Sequence, residues 1–160
     1  MKKILLFFSM VLIVSACSTV DCPLNNRVMA RYALKKADGT ADTLTDSLYV
    51  RGIRMDDDTL LLNSGINLAA FDIAMSDSRK EDVLGFTFIN DDKEITRDTV
   101  WIAKENYPHL ESVDCGPKFF HTVTEVRYTR NRIDRIELIK KNVAYESTEE
   151  NFHRYLFPVY

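Results

Sequence analysis

The feature that most constrains the fold of this chain is a regular alternation of apolar with small or polar residues in short segments. Residues 71–75 and 84–88 show it most clearly, because every second side chain is large and apolar. A period of two is that of a β-strand with one buried face. About eight such segments recur at intervals of roughly 8–12 residues, without an amphipathic helical pattern of about ten residues or more. We therefore predict an all-β fold, an antiparallel β-sandwich of immunoglobulin- or transthyretin-like type with about eight strands.

Polar turn sequences separate these segments. Asp38 and Gly39 are typical of a hairpin, because glycine tolerates a positive φ. Residues 90–93, Asn-Asp-Asp-Lys, predict a second hairpin, and residues 131–132, Asn-Arg, predict a turn between the next two strands. The aromatic C-terminal stretch 152–160 is expected to add an edge strand or to lie along the domain.

The N-terminus carries the pattern of a lipoprotein secretion signal. Lys2 and Lys3 precede an apolar run over residues 4–14, and small residues then lead to Cys17. The run is about eleven residues long, which is too short to cross a bilayer of roughly 30 Å as a helix. We predict a signal peptide over residues 1–16. Its removal would leave Cys17 as an N-terminus that carries a diacylglyceryl group and further acyl chains such as palmitate.

The residues after Cys17 predict the location and the domain organisation. Ser18 stands where inner-membrane lipoproteins of enteric-type bacteria carry Asp, so we expect sorting to the outer membrane. The domain could face either the periplasm or the cell exterior. Residues 17–26 are then a short tether, and residues 27–160 form a single domain. An ordinary secretory peptide and a transmembrane anchor are the alternatives.

Two cysteines remain once Cys17 is lipidated. Cys22 and Cys115 form an even pair in an oxidising compartment, which favours a disulfide. The bond would close a loop of about 93 residues, worth on the order of 4–5 kcal/mol in the chain-entropy model. Two free buried thiols are the alternative. A zinc site would lack the close Cys-x-x-Cys spacing typical of such sites.

Charge is unevenly distributed. The formal net charge of −3 argues against general nucleic-acid binding. Basic residues nevertheless concentrate near the C-terminal third, where they form a candidate patch for lipid phosphates or an acidic partner. The patch consists of Arg127, Arg130, Arg132 and Arg135. The alternative interpretation is a solvated sheet face whose charged edges discourage aggregation.

Two aromatic residues are candidates for stacking on a ligand. Trp101, in the strand predicted over residues 95–103, and Tyr107 would stack on a sugar ring if both were exposed. Core packing is the competing interpretation for a single tryptophan in a strand.

The sequence does not predict an enzyme, a metal or a cofactor. A metal-dependent or nucleophilic site would need His109, His121 or His153 to converge with Asp114 or with a free Cys115. The histidines do not form a His-x-His pair, and a disulfide would remove the thiolate of Cys115. The serine nucleophile elbow, Gly-x-Ser-x-Gly, does not occur.

Four segments together resemble a family of small Bacteroidota lipoproteins of unknown function. These are residues 22–26 (Cys-Pro-Leu-Asn-Asn), 42–45, 106–116 with its Asp-Cys-Gly, and 119–121 (Phe-Phe-His). The resemblance implies a role in the envelope and fits the Cys22–Cys115 pairing. We expect a non-catalytic interaction or accessory module, with an outer-membrane β-barrel protein as partner. A glycan- or ligand-binding module and a small metal-dependent enzyme are the alternatives.

Overall fold

A computed structural model describes residues 28–53, 59–110, 116–145 and 149–158. The predicted signal peptide, the lipidation site Cys17 and the two cysteines of the predicted disulfide, Cys22 and Cys115, lie outside these ranges. Within the described ranges, no helix has the length and apolar character needed to cross a bilayer.

Ten strands occur in the described residues, which confirms the all-β prediction. They are β1 Met29–Leu34, β2 Ser47–Gly52, β3 Thr59–Gly65, β4 Ala70–Ala74, β5 Glu81–Ile89, β6 Ile95–His109, β7 Lys118–Tyr128, β8 Ile133–Leu138, β9 Asn142–Val143 and β10 Phe152–Leu156. The count exceeds the predicted eight because β9 was not predicted, and because the stretch that forms β10 was expected either to add an edge strand or to lie along the domain.

The strands form two sheets whose apolar faces meet. One sheet has the order β4-β1-β10-β8 and the other the order β3-β2-β5-β6-β7-β9. Every strand pairing is antiparallel except β1 with β10, which is parallel. The core lies between the sheets and contains Tyr32, Ile73 and Phe152 from the first and Leu48, Val50, Phe86 and Phe88 from the second.

The C-terminal strand corrects one prediction. β10 is not an edge strand, because it lies between β1 and β8 inside the four-stranded sheet. Phe152 is fully buried and its ring stacks on Tyr32 at 4.6 Å between centroids. The sequence pattern does not reveal this placement, because the parallel pairing joins β1 to a strand more than a hundred residues later in the chain.

One of the predicted turns joins neighbouring strands of one sheet, whereas the other two lead from one sheet to the other. Residues 90–93 form the predicted hairpin, since Ile89 pairs with Ile95 across β5 and β6. Gly39 has φ +86°, and a local turn forms around it, but the flanking strands β1 and β2 belong to different sheets. Residues 131–132 likewise lead from β7 in one sheet to β8 in the other, so the chain crosses the sandwich there.

The carboxylate of Asp98 on β6 holds this crossing in place. Its Oδ1 accepts hydrogen bonds from the Thr129 hydroxyl at 2.6 Å and from the Asn131 N–H at 2.8 Å. Its Oδ2 accepts from the N–H groups of Arg132 and Ile133, both at 2.8 Å. Asp98 is 2% exposed, so these four bonds form where water competes little.

Replacing Asp98 by asparagine is expected to lower the free energy of unfolding by about 2–3 kcal/mol. The asparagine side chain has one oxygen, and its NH2 group cannot accept the hydrogen bonds that the second carboxylate oxygen accepts. Urea denaturation measures the change. Asp91→Asn in the exposed 90–93 turn is the matched control and should shift stability by no more than about 0.5 kcal/mol. Equal effects of the two substitutions would show that the crossing does not depend on this carboxylate.

Candidate functional site

The strongest candidate site lies at one end of the sandwich, which we call the arginine end and define by Asp46, Arg132 and Arg154. Asp46 directly precedes β2, Arg132 lies in the β7–β8 crossing, and Arg154 lies in β10. All three side chains are largely buried, and Arg154 is 1% exposed. Buried charges are costly unless they are paired or serve a function, so this end requires an explanation.

Arg154 is a buried guanidinium without a carboxylate partner among the described residues. Its side chain points between the sheets, with its guanidinium carbon 4.9 Å from the ring centre of Phe71 and 5.8 Å from that of Phe88. Both contacts have the geometry of a cation–π interaction. Nε and Nη1 of Arg154 nevertheless lack an acceptor within the described part of the chain. A buried donor without an acceptor costs about 1–3 kcal/mol, and more when it is charged.

The arginine end contains two arginines but one carboxylate, that of Asp46. Arg132 donates from Nε to Oδ2 of Asp46 at 2.9 Å and from Nη1 to the Phe157 carbonyl. Burial, followed by the charge of Arg132, lowers the pKa of Arg154 to about 9, and the effects of Tyr32 and Asp46 oppose this change. Arg154 therefore remains protonated at neutral pH, and the arginine end carries an excess positive charge.

Two clefts open next to these arginines, with volumes of about 440 Å³ and about 180 Å³. Arg132 lines both of them. The larger cleft is also lined by Leu34, the register partner of Arg154 on β1, and by Leu156, two residues further along β10. Arg154 itself lines neither cleft but lies beside Leu34 in the same sheet. The volume of the larger cleft is within the range of small-molecule sites, about 300–1,000 Å³.

A second polar cluster lies inside the opposite half of the sandwich, around Lys104 on β6. The Nζ of Lys104 donates to the Arg79 carbonyl at 2.6 Å, to Oδ1 of Asn106 at 2.9 Å and to the Ser76 carbonyl. Oδ2 of Asp82 lies 3.6 Å from the same nitrogen. These bonds fix the segment between β4 and β5. Burial lowers the pKa of Lys104 and raises that of Asp82, and the attraction between the two opposes both changes.

His121 completes this cluster from β7. Because Oδ1 of Asn106 can only accept, the 2.8 Å contact assigns the proton to Nδ1 of His121. Nε2 is left as a buried acceptor without a hydrogen-bond partner among the described residues, 3.9 Å from a carboxylate oxygen of Asp77. The adjoining cavity holds about 90 Å³, room for a few waters rather than for a substrate. The bonds of Lys104 and Asn106 thus tie β6 to the segment between β4 and β5.

His121 should make stability depend on pH. Burial, followed by the charge of Lys104, lowers the pKa of His121 from 6.5 to about 4. The unfolded chain takes up the proton near pH 6.5 while the folded chain resists it, so stability falls as the pH drops from about 6.5 to 4, by on the order of 3 kcal/mol. Denaturant titrations across this range measure the fall. His121→Gln should remove that component of the slope, and an unchanged slope in the variant would contradict the assignment.

The four arginines predicted as a patch do not share one surface. Arg127 on β7 lies 2.5 Å from Glu81, and Arg135 on β8, in the other sheet, lies 3.0 Å from Glu137. Arg130 pairs with Asp134 in the crossing. Each arginine thus has a carboxylate partner, and only Arg132 belongs to the arginine end.

Of the two predicted stacking residues, Tyr107 is exposed and Trp101 is half-buried, and they lie far apart. Trp101 and Tyr107 both lie on the outer face of β6, six residues from each other, which is about 20 Å along a strand. One sugar ring cannot contact both. Trp101 instead lies under the Arg127 guanidinium, whose carbon is 5.6 Å from the ring centre, and Tyr107 packs edge-on against Phe120.

The candidate metal ligands do not converge where the structure describes them. His109, His121 and His153 have different neighbours, and His153 contacts Glu150 at 2.7 Å. Among the described ranges, no three His, Cys, Asp or Glu side chains are arranged to hold a metal ion. Asp114 and Cys115 lie outside those ranges.

Sequence reasoning missed Arg154, Asp46 and Lys104, although a signal for two of them exists. Lys104 continues the inward-facing series of Val100 and Ile102, and Arg154 shares the inward face of β10 with Phe152. A charged residue at an apolar position of an alternating strand marks a buried charge.

Comparison with known proteins places the chain in a family. A model of a family of unknown function, DUF6452, matches residues 47–156, from the first residue of β2 to the last residue of β10. The match includes Arg132 and Arg154. No curated protein and no solved structure matches the chain significantly. The chain therefore belongs to the DUF6452 family, whose function is unknown.

Proposed function

We propose that this protein is a lipid-anchored, non-catalytic binding domain of the cell envelope, and that its arginine end receives an acidic group of an outer-membrane partner. The N-terminal sequence through Cys17 supports the anchor and the location. The geometry of the arginine end supports the binding role.

The observation that carries the binding role is Arg154. Two donors of this buried guanidinium lack acceptors among the described residues, and an apolar side chain of similar volume would fill the space at lower cost. A carboxylate or phosphate near the arginine end would accept those donors and balance the excess charge. Arg154 lies beside Leu34, which lines the larger cleft, so the proposal requires an acidic group that enters past this lining.

The lining of the larger cleft defines the group further. Leu34, Leu44 and Leu156 supply apolar surface. Arg132 and Lys36 supply positive charge, and Asp42 adds one carboxylate to the lining. An acidic head on an apolar stem matches this combination, as in a glutamate side chain of a partner protein. A small organic anion is the second candidate, because the cleft is large enough to enclose one.

The non-catalytic part of the proposal follows from the other buried ionisable groups. Lys104 and His121 have the shifted pKa values typical of active sites. Their bonds, however, go to main-chain carbonyls and to Asn106, and the cavity beside them is too small for a substrate.

Hexanoate and its neutral isostere hexanamide test the binding role. We expect hexanoate to raise the melting temperature of the full chain in a concentration-dependent manner and hexanamide to have no such effect. Arg135→Met, which removes an arginine outside the clefts, is the control and should respond like the wild type. Equal responses to both compounds would show that the cleft binds the apolar chain and does not recognise the carboxylate, and the proposal would then be wrong.

Mass spectrometry of the native protein tests the anchor separately. We expect the chain to begin at Cys17 and to carry the added mass of acyl chains, and Cys17→Ser to release the protein from the membrane fraction. An unmodified chain that begins at Met1 would refute the anchor without affecting the hexanoate result.

Pull-down from solubilised outer membranes tests the partner. Wild type and Arg135→Met should recover the same membrane protein, and Arg154→Met should lose it. Recovery by all three would show that the partner binds elsewhere on the domain.

A further inference from the structure

A partly exposed cluster of rings lies at the end of the sandwich opposite to the arginine end. We call it the aromatic end and define it by Tyr107, His109, Phe120 and Tyr145. His109 stacks on Phe120 at 4.4 Å between ring centres, while Tyr107 and Tyr145 meet Phe120 edge-on at 6.1 Å and 4.9 Å. Leu110 extends this surface and is 58% exposed. Exposed apolar residues in one place are typical of an interaction surface.

The aromatic end is also where the described chain begins. Val28 forms a β-bridge with Tyr145, so the eleven residues 17–27 start from this end. Fully extended, they reach at most about 40 Å. A bond between Cys22 and Cys115 would shorten the free tether to residues 17–22, about 20 Å, and Cys115 follows Leu110 by only five residues. A lipid at Cys17 is therefore connected to the aromatic end by the main chain that leads to Val28, and the predicted disulfide would connect it there through Cys115 as well.

We propose that the aromatic end rests on the surface of the lipid bilayer, a proposal that depends on the lipid anchor proposed above. The exposed Tyr107 has an apolar ring and a polar hydroxyl, a combination that suits the headgroup level of a membrane. The exposed Lys118, opposite His109 in the β6–β7 pairing, adds a cation for lipid phosphates. The short tether provides a high local concentration of bilayer, so weak contacts suffice.

This orientation directs the arginine end away from the membrane. Asp98, which binds the main chain of the β7–β8 crossing, and His109 are eleven positions apart on β6, a distance of about 35 Å along a strand. The clefts next to Arg132 would then open well above the lipid headgroups, where a partner protein can reach them.

Tryptophan fluorescence in brominated lipid tests the orientation. Trp101→Phe removes the single native tryptophan, and Tyr107→Trp then places one reporter at the aromatic end. Phe157→Trp is the matched control, because Phe157 is 36% exposed at the arginine end. The acylated full chain is bound to phosphatidylethanolamine–phosphatidylglycerol vesicles whose acyl chains carry bromine close to the glycerol. Leu110→Trp serves as a second reporter should Tyr107→Trp unfold.

We expect bromine to quench the reporter at position 107 or 110 about twofold or more and the reporter at position 157 hardly at all, since interfacial rings lie within reach of the upper acyl chain. Equal quenching of both positions, or stronger quenching at 157, in an acylated and vesicle-bound protein overturns the orientation while the anchor stands. A protein without acyl chains that does not bind vesicles overturns both proposals.

Discussion

Replacing Lys104 by methionine is expected to lower the free energy of unfolding by about 3–5 kcal/mol, the effect of removing one partner from a buried ion pair. The Nζ of Lys104 supplies the positive charge nearest to the Asp82 carboxylate, at 3.6 Å, and Asp82 is itself buried. Without that charge, the carboxylate keeps only the Ser76 N–H at 3.1 Å among its described hydrogen bonds. Urea denaturation monitored by circular dichroism measures the loss.

A double variant separates the ion pair from simple packing. Lys104→Met combined with Asp82→Leu removes both charges, so we expect it to recover a large part of the stability lost in the single variant. If the double variant is less stable than Lys104→Met alone, the cost comes from lost packing around β6, and the ion-pair explanation is wrong.

Replacing Arg154 by methionine is expected to have the opposite effect on stability, a gain of about 1–4 kcal/mol. Methionine fills the space between Phe71 and Phe88 without a charge, and Asp46 keeps Arg132 as its partner. The same variant should bind hexanoate at least about tenfold more weakly, because the excess positive charge is gone and the loss of a charge-assisted bond is worth roughly 1.5–3 kcal/mol.

The combination of gained stability and lost binding identifies a residue that is retained for function. Arg154→Lys is the companion variant, since it keeps the charge but loses the planar fork, and it should retain part of the affinity. A large loss of stability in Arg154→Met would show instead that the cation–π contacts with Phe71 and Phe88 hold the core together.

Local alternation predicted the fold class correctly, and its clearest case is β5. The burial of Glu81–Ile89 alternates without interruption, as the sequence of that segment predicts. Alternation does not determine which strands are neighbours. β10 is an internal strand because it pairs in parallel with β1. Residues 131–132 cross from one sheet to the other, and Asp98 on β6 binds the main chain of this crossing.

The candidate site was less accessible to sequence reasoning. Arg127, Arg130, Arg132 and Arg135 are close in sequence, yet acids from other elements, such as Glu81 and Asp46, neutralise two of them. Arg154 stands out only when its inward position on β10 is known. The excess charge at the arginine end arises because three segments that are distant in sequence lie close together in the fold. A local sequence pattern does not predict such a contact.

The NMR signal of the Arg154 Nε–H group tests the binding role most directly, because this donor has no acceptor among the described residues. Titration of the full chain with hexanoate should shift this signal in a saturable manner and slow its exchange with water, while hexanamide leaves it unchanged. If hexanoate saturates the protein without moving the Arg154 signal, the anion binds elsewhere and the arginine end is not the binding site.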